Sequence, residues 1–391
     1  MAQGTKIIRK KVEQWGGIEI GRLGFGAMRL PTGDDRQIDK AKAAALIHRA
    51  VEAGVNYFDS AYLYHGGESE RFLGETLSDY PRESYCLATK LPPQMLESEE
   101  QFYTIFNTQI EKLRTDYLDF YLLHGLGPLR MEIVQKYGVI DKLVQLKKEG
   151  KVRRIGFSYH GDQKTLDMLI DMGIWDMAQI QFNYLDNDMI NAKGLYDKLV
   201  SANVPCVCME PVRGGFLASL PEEAQKLVEG FEGGAVTPAG WAFRWCIDRQ
   251  GIAVVLSGMS TMEQVEENIE TFSQEQPMTQ AQTEMLALAT KLITDVKAIP
   301  CTACRYCMEC PSGVNIPEVF RIFNHLQLFK NGFRAGEDYK ALIQSGNDVG
   351  KCVRCGECAP KCPQEIDIPE RLAEVKEAME KAMTAGPPRR R

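Results

Sequence analysis

Short apolar runs that stop at a polar loop, each followed by a segment with apolar residues at helical spacing, recur through most of the chain. The runs 22–28, 56–59, 85–90, 117–123, 154–157, 177–180, 205–209 and 252–256 read as strands, being short, apolar and bounded by polar or glycine-containing turns. Between them, 39–53, 68–77, 99–113, 132–148, 165–172 and 195–202 have helical composition. Thr237-Pro238 reads as an N-cap and first residue of a helix to about 248, and 263–270 begins a closing helix. Ahead of this alternation, 7–20 reads as two strands around Trp15-Gly16-Gly17, a hairpin placed to plug the far end of the main fold. Eight strand–helix units in roughly 250 residues have the size and rhythm of a (β/α)8 TIM barrel. An open doubly wound sheet is the rival, but Gly24 and Gly26 do not complete a GxGxxG fingerprint.

A barrel gathers the C-terminal ends of its strands at one mouth, so residues distant in sequence become neighbours there. Asp59 and Lys90 close the second and third runs, His124 follows the fourth, and Tyr64 stands in the loop after the second. A phenol with an ordinary pKa near ~10 is a poor acid at neutral pH, and a nearby ammonium favours its ionised form. A carboxylate can hold that ammonium, and an imidazole can hydrogen-bond the same substrate oxygen. The four together suit delivery of a proton to a carbonyl oxygen as hydride reaches its carbon. The competing reading is structural: an N-cap Asp, a packed Tyr, a solvated Lys and a satisfied core His.

The segments FDSAYLYHGGE, ATK, YLLHG and IGFS resemble, in order and separation, the motifs of the aldo-keto reductase superfamily, and the resemblance covers about 9–272. It implies a catalytic tetrad of Asp59, Tyr64, Lys90 and His124 with Tyr64 as the acid, the pattern D-x-A-x-x-Y selecting Tyr64 over Tyr62. It further implies that Ser158 and Gln181 grip the nicotinamide carboxamide. Pro211, Arg213 and Gly214, with Gly258 and Ser260, would hold the phosphates, and Gln264 and Asn268 would lie near the adenine ring. The phosphate assignment has a physical basis besides. Loops after the last two strands are the usual anion site of such barrels, and Ser260-Thr-Met-Glu263 has capping-box spacing at a helix start. The implied reaction is reduction of a small carbonyl substrate by NADP- or NAD-borne hydride, with NADP preferred. Three departures stand against the pattern. Tyr159-His160 occupies a place where relatives often carry Asn, Met209 replaces an aromatic residue that often stacks on the nicotinamide, and Met259–Met262 carries no Lys or Arg for a 2′-phosphate. A flavin- or cluster-dependent reductase without nicotinamide at the barrel, or an idle barrel in an electron-transfer subunit, are the alternatives.

Cysteine is the unusual count: 12, of which eight lie between Cys301 and Cys362. Cys301-x2-Cys304-x2-Cys307-x2-Cys310-Pro311 is followed after 41 residues by Cys352-x2-Cys355-x2-Cys358-x3-Cys362-Pro363. The second run has the spacing of bacterial ferredoxins, in which the fourth cysteine serves the other cluster, while the first is shorter by one in its last gap. Eight thiolates suit two [4Fe-4S] clusters, one on Cys301, Cys304, Cys307 and Cys362 and the other on Cys352, Cys355, Cys358 and Cys310. Zinc is the alternative, although its sites usually separate two CxxC pairs by a longer stretch. Val319, Phe320, Phe323 and Leu326 fall at helical spacing between the runs. The tail thus resembles the helical type of two-cluster ferredoxin, and aldo-keto reductases bearing it form a subfamily. The expected domains are a barrel, 1–295, and a mainly α-helical ferredoxin-like domain, 296–391. Cys86, Cys206, Cys208 and Cys246 read as core residues.

Composition narrows the partners. A net charge of −7 argues against a nucleic-acid surface, and Arg389-Arg390-Arg391 reads as a solvated tail. No apolar stretch approaches the ~18 residues that span a bilayer, and no signal peptide is visible, so the expected compartment is the cytoplasm. There the cysteines read as ligands rather than disulfides, for clusters that exchange electrons with a redox protein partner or hold the tail folded.

Overall fold

The computed structural model describes residues 5–33, 35, 37–161, 163–234, 236–274, 277–294, 298–308, 310–329 and 332–384; the triple-arginine tail lies outside them. They form two compact units, Met1–Pro211 with Ala242–Met278, and Val212–Trp241 with Thr279–Arg391. This grouping crosses the boundary expected at 295. The segments 212–241 and 279–294 join the tail because helices Glu222–Gly230 and Gln280–Thr294 pack together, with Gln282 Nε2 donating to Glu232 Oε1 at 2.7 Å.

The first unit opens with an antiparallel hairpin of β1 (Arg9–Val12) and β2 (Ile18–Gly21), whose reversal uses Gly16 and Gly17 at φ +77° and +73°. Eight strands then close a parallel ring among the described residues: β3 (Leu23–Gly26), β4 (Tyr57–Asp59), β5 (Cys86–Leu91), β6 (Leu118–Leu126), β7 (Val152–Tyr159), β8 (Met177–Gln181), β9 (Cys206–Met209) and β10 (Ile252–Ser257). They are the eight runs of the sequence pattern. The hairpin does stop one end. Trp15 is buried with its ring edge-on to Phe120 at 4.7 Å, and Val12, Trp15 and Ile20 share one apolar cluster with Tyr57, Phe120, Met177 and Val254. Arg154 of β7 also reaches this end, its guanidinium 5.2 Å over the Phe120 ring and bonded to the Trp15 carbonyl.

Helices α1 (Lys40–Glu52), α2 (Glu68–Leu77) and α3 (Glu99–Leu113) match their patterns. Asp39 caps α1 by accepting from the Lys42 N–H at 3.1 Å, and Thr237 accepts from the Gly240 N–H at 3.0 Å, as its spacing predicted. One expectation fails: 132–148 is not a single helix but two, Pro128–Lys136 and Val139–Lys148, because Gly138 at φ +57° turns the chain between them. In the second unit, helices Ile316–Phe329, Gly332–Gln344 and Ile368–Met383 surround a separate core that includes Val319, Phe320, Phe323 and Leu372, with Leu326 packed at its edge. Among the described residues no helix is long and apolar enough to cross a membrane.

Gly74 lets α2 lie directly on the end of α3. A Cβ there would meet the Lys112 carbonyl and sit 2.7 Å from Leu113 Cα, both backbone. Gly→Ala gains at most about 1 kcal/mol of helix propensity, whereas overpacking costs about 1–3 kcal/mol. Gly74→Ala therefore lowers the urea midpoint of the barrel, and an unchanged or raised midpoint would show that the helices can separate freely.

Candidate active site

Strand register decides which side chains meet at the mouth. Gly26 pairs with Asp59, Asp59 with Ala88, and Lys90 with Leu122, which brings the polar ends of β4, β5 and β6 level. Lys90 Nζ donates to Asp59 Oδ1 at 2.5 Å, to the Ser60 carbonyl at 2.7 Å and to the Tyr64 hydroxyl at 3.4 Å. Both members of the ion pair are buried, Lys90 being 1% and Asp59 2% exposed. Burial pushes the Asp59 carboxyl up and the Lys90 ammonium down, and their mutual attraction opposes both shifts. Gln179, on the inward row of β8, faces the same carboxylate.

The backbone beyond β4 delivers the phenol. Ser60 N–H bonds the Ala88 carbonyl at 2.8 Å, and a tight turn over Tyr64–Gly67 carries His65, Gly66 and Gly67 at φ 52°, 66° and 91°. Lys112 fixes this turn by donating to the Gly67 carbonyl at 2.9 Å. The same ammonium stands 4.9 Å from the Tyr62 ring, so Tyr62 is engaged elsewhere and Tyr64 is the phenol that reaches Lys90. His124 lies across from Tyr64, ring centroids 5.8 Å apart at 82°. Burial above all, then Lys90 and Arg130, hold His124 well below the usual histidine range, which makes it a neutral imidazole. Burial and Arg130 bring His160 down to about 4.

The remaining predicted residues are distributed around this centre. Ser158, in β7, accepts from the Gly125 N–H at 2.6 Å. Gln181, ending β8, donates to Asp186 Oδ2 at 2.7 Å, and Asn183 donates to the same oxygen at 2.6 Å. After β10 the helix cap is Thr261, not Ser260, because Thr261 holds the extended φ −135°, ψ 158° of an N-cap and accepts from the Gln264 N–H at 3.4 Å. Gln264, rather than Glu263, completes the cap by accepting from the Ser260 N–H at 2.8 Å. Asn268 is buried and donates to Ser257 Oγ at 2.9 Å. Gly258 lies under the Arg29 side chain, where a Cβ would come within 3.1–3.2 Å, and Ser260 Oγ bonds the Arg29 carbonyl at 2.7 Å. The Arg29 guanidinium is 3.7 Å from Glu210. Pro211 ends the barrel unit's first segment, while Arg213 and Gly214 belong to the other unit. There Arg213 is buried at φ 47° with its guanidinium 6.0 Å over Phe216. Sequence reading missed Gln179, Asp186 and Arg29. The inward row Met177-Gln179-Gln181 was the available signal for the first, a polar side chain at an interior strand position.

In the second unit the thiols sort into two sets. Burial, then the neighbouring thiols Cys304, Cys301 and Cys362, push Cys307 up to about 12. Burial raises Cys358, whose thiol neighbours are Cys310, Cys352 and Cys355. This second set lines one pocket, which Cys307 of the first set also borders. Among the described residues no three His, Cys, Asp or Glu close on a single ion. Both CxxC loops bend alike, with the residues flanking the second cysteine in the left-handed region: Ala303 and Arg305 at φ 53° and 67°, Arg354 and Gly356 at 56° and 81°. The Ala303 N–H points at Cys301 Sγ, 3.4 Å away.

A closed parallel barrel with a buried Lys–Asp pair and a phenol at its mouth, continued in one chain by two sets of four thiols, belongs to an oxidoreductase. The chain is a member of the aldo/keto reductase family, matched over residues 22–288, and carries a 4Fe-4S dicluster domain at 300–366. It is similar to probable aldo-keto reductase 1 of Glycine max, 25% identical over 65% of this chain and 81% of the relative. It is also similar to L-galactose dehydrogenase of Arabidopsis thaliana, 27% identical over 72% of this chain and 91% of that protein. Among solved structures, the holo form of aldo-keto reductase AKR11C1 from Bacillus halodurans superposes with a TM-score of 0.61 at 24% identity, covering 72% of this chain and 96% of that one. An aldo-keto reductase from Klebsiella pneumoniae in complex with NADPH gives 0.58 at 19%, covering 73% and 96%.

The histidines set an acid limit. An unfolded histidine titrates near ~6.5, so as the pH falls the unfolded chain binds a proton before His160, held at about 4, can do so. The stability from a neutral His160 is complete above the unfolded value and is lost as the pH falls towards the folded one. His160→Asn should flatten the decline in urea midpoint between about pH 7 and pH 4.5. An identical slope in the variant would mean that His160 titrates normally in the folded protein.

Proposed function

We propose that the barrel reduces a small-molecule carbonyl with hydride from NADPH or NADH, using Tyr64 as general acid, and that the second unit binds two [4Fe-4S] clusters. The observation that carries the barrel reading is the Lys90 ammonium, buried between the Asp59 carboxylate and the Tyr64 hydroxyl. When bound, the dihydronicotinamide supplies the hydride. Tyr64 gives its hydroxyl proton to the carbonyl oxygen as negative charge grows there, and the ammonium 3.4 Å away stabilises the charge left on the phenol oxygen. Asp59 and the Ser60 carbonyl keep that ammonium in place. Neutral His124 holds the carbonyl oxygen by a hydrogen bond without competing for the proton. Relatives named as reductases and dehydrogenases, and a structural neighbour solved with NADPH, support the same reading.

Ser158 and Gln181 stand at the ends of β7 and β8 as the amide-binding pair, Gln181 oriented by Asp186. The Gly258–Ser260 backbone, at the N-terminus of a capped helix, receives phosphate, with Gln264 and Asn268 holding that loop in shape. Arg29 packs on the same loop, its side chain over Gly258 and its carbonyl accepting from Ser260 Oγ. The assignment of Pro211, Arg213 and Gly214 to the phosphates rests on the resemblance of their loop. In the tail, Cys301, Cys304, Cys307 and Cys362 hold one cluster and Cys310, Cys352, Cys355 and Cys358 the other. The matching turns around each second cysteine support two equivalent sites. Cys355 is exposed, so a redox protein can approach the second cluster.

Tyr64→Phe is expected to lower kcat by about 10²–10⁴-fold while dinucleotide binding stays as in the parent, read from nicotinamide absorbance on an anaerobic aldehyde panel. Undiminished turnover would remove Tyr64 as the acid. Reconstituted protein should hold about eight iron and eight acid-labile sulfide per chain, four per cluster, and Cys310→Ser should lose about half of each. Zinc in place of iron would overturn the tail assignment.

A further inference from the structure

At the end of β8 three polar side chains interlock out of water: Gln181 is 4% exposed, and Asn183 and Asp186 are 0% exposed. Gln181 Nε2 and Asn183 Nδ2 both donate to Asp186 Oδ2, at 2.7 and 2.6 Å. Asn183 Nδ2 also donates to the Glu210 carbonyl at 3.0 Å, and Asn183 Oδ1 accepts from the Leu185 and Asp186 N–H groups at 3.1 and 2.8 Å. An ionised carboxylate can only accept hydrogen bonds, so each amide must turn its nitrogen toward Asp186. An asparagine at this place would carry a donor as well as an acceptor and leave that choice open. Asp186 therefore does more than tie the loop after β8 to the end of β9. It commits the nitrogen of Gln181 to the protein, so that Gln181 can present only its carbonyl oxygen, Oε1, to a ligand beside the strand.

Ser158 has the opposite polarity. It stands on β7 in register with Gln179, and therefore on the same face of the sheet as Gln181 two residues further along β8. Its Oγ accepts from the Gly125 N–H at 2.6 Å, so what it can offer a ligand is its hydroxyl hydrogen. A hydroxyl donor beside an amide acceptor matches a primary carboxamide, which carries C=O and N–H2 on one carbon; an acetyl group supplies only the first. We propose that Asp186 is a positioning residue that makes this site selective for a carboxamide: it holds Gln181 so that Oε1 accepts from the N–H2 of the dinucleotide while Ser158 donates to the carboxamide oxygen. The inference rests on the dinucleotide reading given above, and adds to it the residue that sets the polarity of the contact.

The test reads binding rather than turnover. Its probes are oxidised NADP or NAD, whichever the parent binds more tightly, and two analogues of that dinucleotide: the thionicotinamide form, which keeps the N–H2, and the 3-acetylpyridine form, in which a methyl group replaces it. Affinities for the full-length, cluster-reconstituted protein are measured by anaerobic calorimetry. The parent should bind the natural and thionicotinamide forms alike and the acetylpyridine form roughly tenfold more weakly, the loss of one buried hydrogen bond. Asp186→Leu removes the acceptor that holds Gln181 and should narrow that gap to about threefold or less, whereas Asp186→Asn, which still offers one oxygen, should keep part of it. A merely structural role for Asp186 would weaken all three dinucleotides together and leave the gap intact, and that result overturns the proposal. So does a parent that binds the acetylpyridine form as tightly as the natural one, a measurement that needs no variant. A parent that binds none of the three would defeat the dinucleotide reading itself, and this inference with it.

Discussion

One buried positive charge governs the first unit. An ammonium removed from water is destabilised by several kcal/mol unless its protons and its charge are both answered. Lys90 has three acceptors, at 2.5, 2.7 and 3.4 Å, supplied by Asp59, the Ser60 carbonyl and Tyr64. Each depends on a different feature of the fold. Asp59 and Lys90 come level through the register of β4 and β5, and the Ser60 carbonyl is aimed by its N–H bond to Ala88. Tyr64 is set by the three left-handed residues that follow it, two of them glycines, where a side chain would strain the backbone. Removing any of these leaves the charge in place with fewer partners.

The same constraint explains the polarity gradient along the barrel. Trp15, Ile20 and Phe120 fill one end, so water has no route to the lysine from below. Excluding water strengthens the attraction between Lys90 and charge on the Tyr64 oxygen, because the effective dielectric falls. It also keeps His124 neutral, so in the proposed reaction the imidazole orients the substrate without competing with Tyr64 for the proton.

Much of this was legible in the sequence, and the reason is geometric. Strand ends share one mouth whatever the loops do, so Asp59, Lys90 and His124 could be joined from position alone, and the cysteine spacing points just as directly to a 4Fe-4S dicluster domain. What escaped depends on contacts between elements. Glu70 and Gln109 face each other because Gly74 permits α2 and α3 to touch, and a single glycine in a helical pattern does not announce its neighbour. Arg29 reaches the loop after β10 from the other end of the sequence. The cap at Thr261 and the break at Gly138 turn on backbone angles that flanking composition leaves open. The grouping of 212–241 with the tail reflects the packing of two helices whose patterns say nothing about their partners.

The tail shows how local strain carries a functional argument. Ala303, Arg305 and Arg354 occupy the left-handed region, where each non-glycine residue costs about 1–2 kcal/mol. Left-handed non-glycine residues occur elsewhere in the chain, as at Arg114 and Glu210, but in the two cysteine loops they recur at matching positions. In the proposed reading thiolate coordination uses this bend, since it needs successive sulfurs, and backbone N–H groups such as that of Ala303, turned the same way.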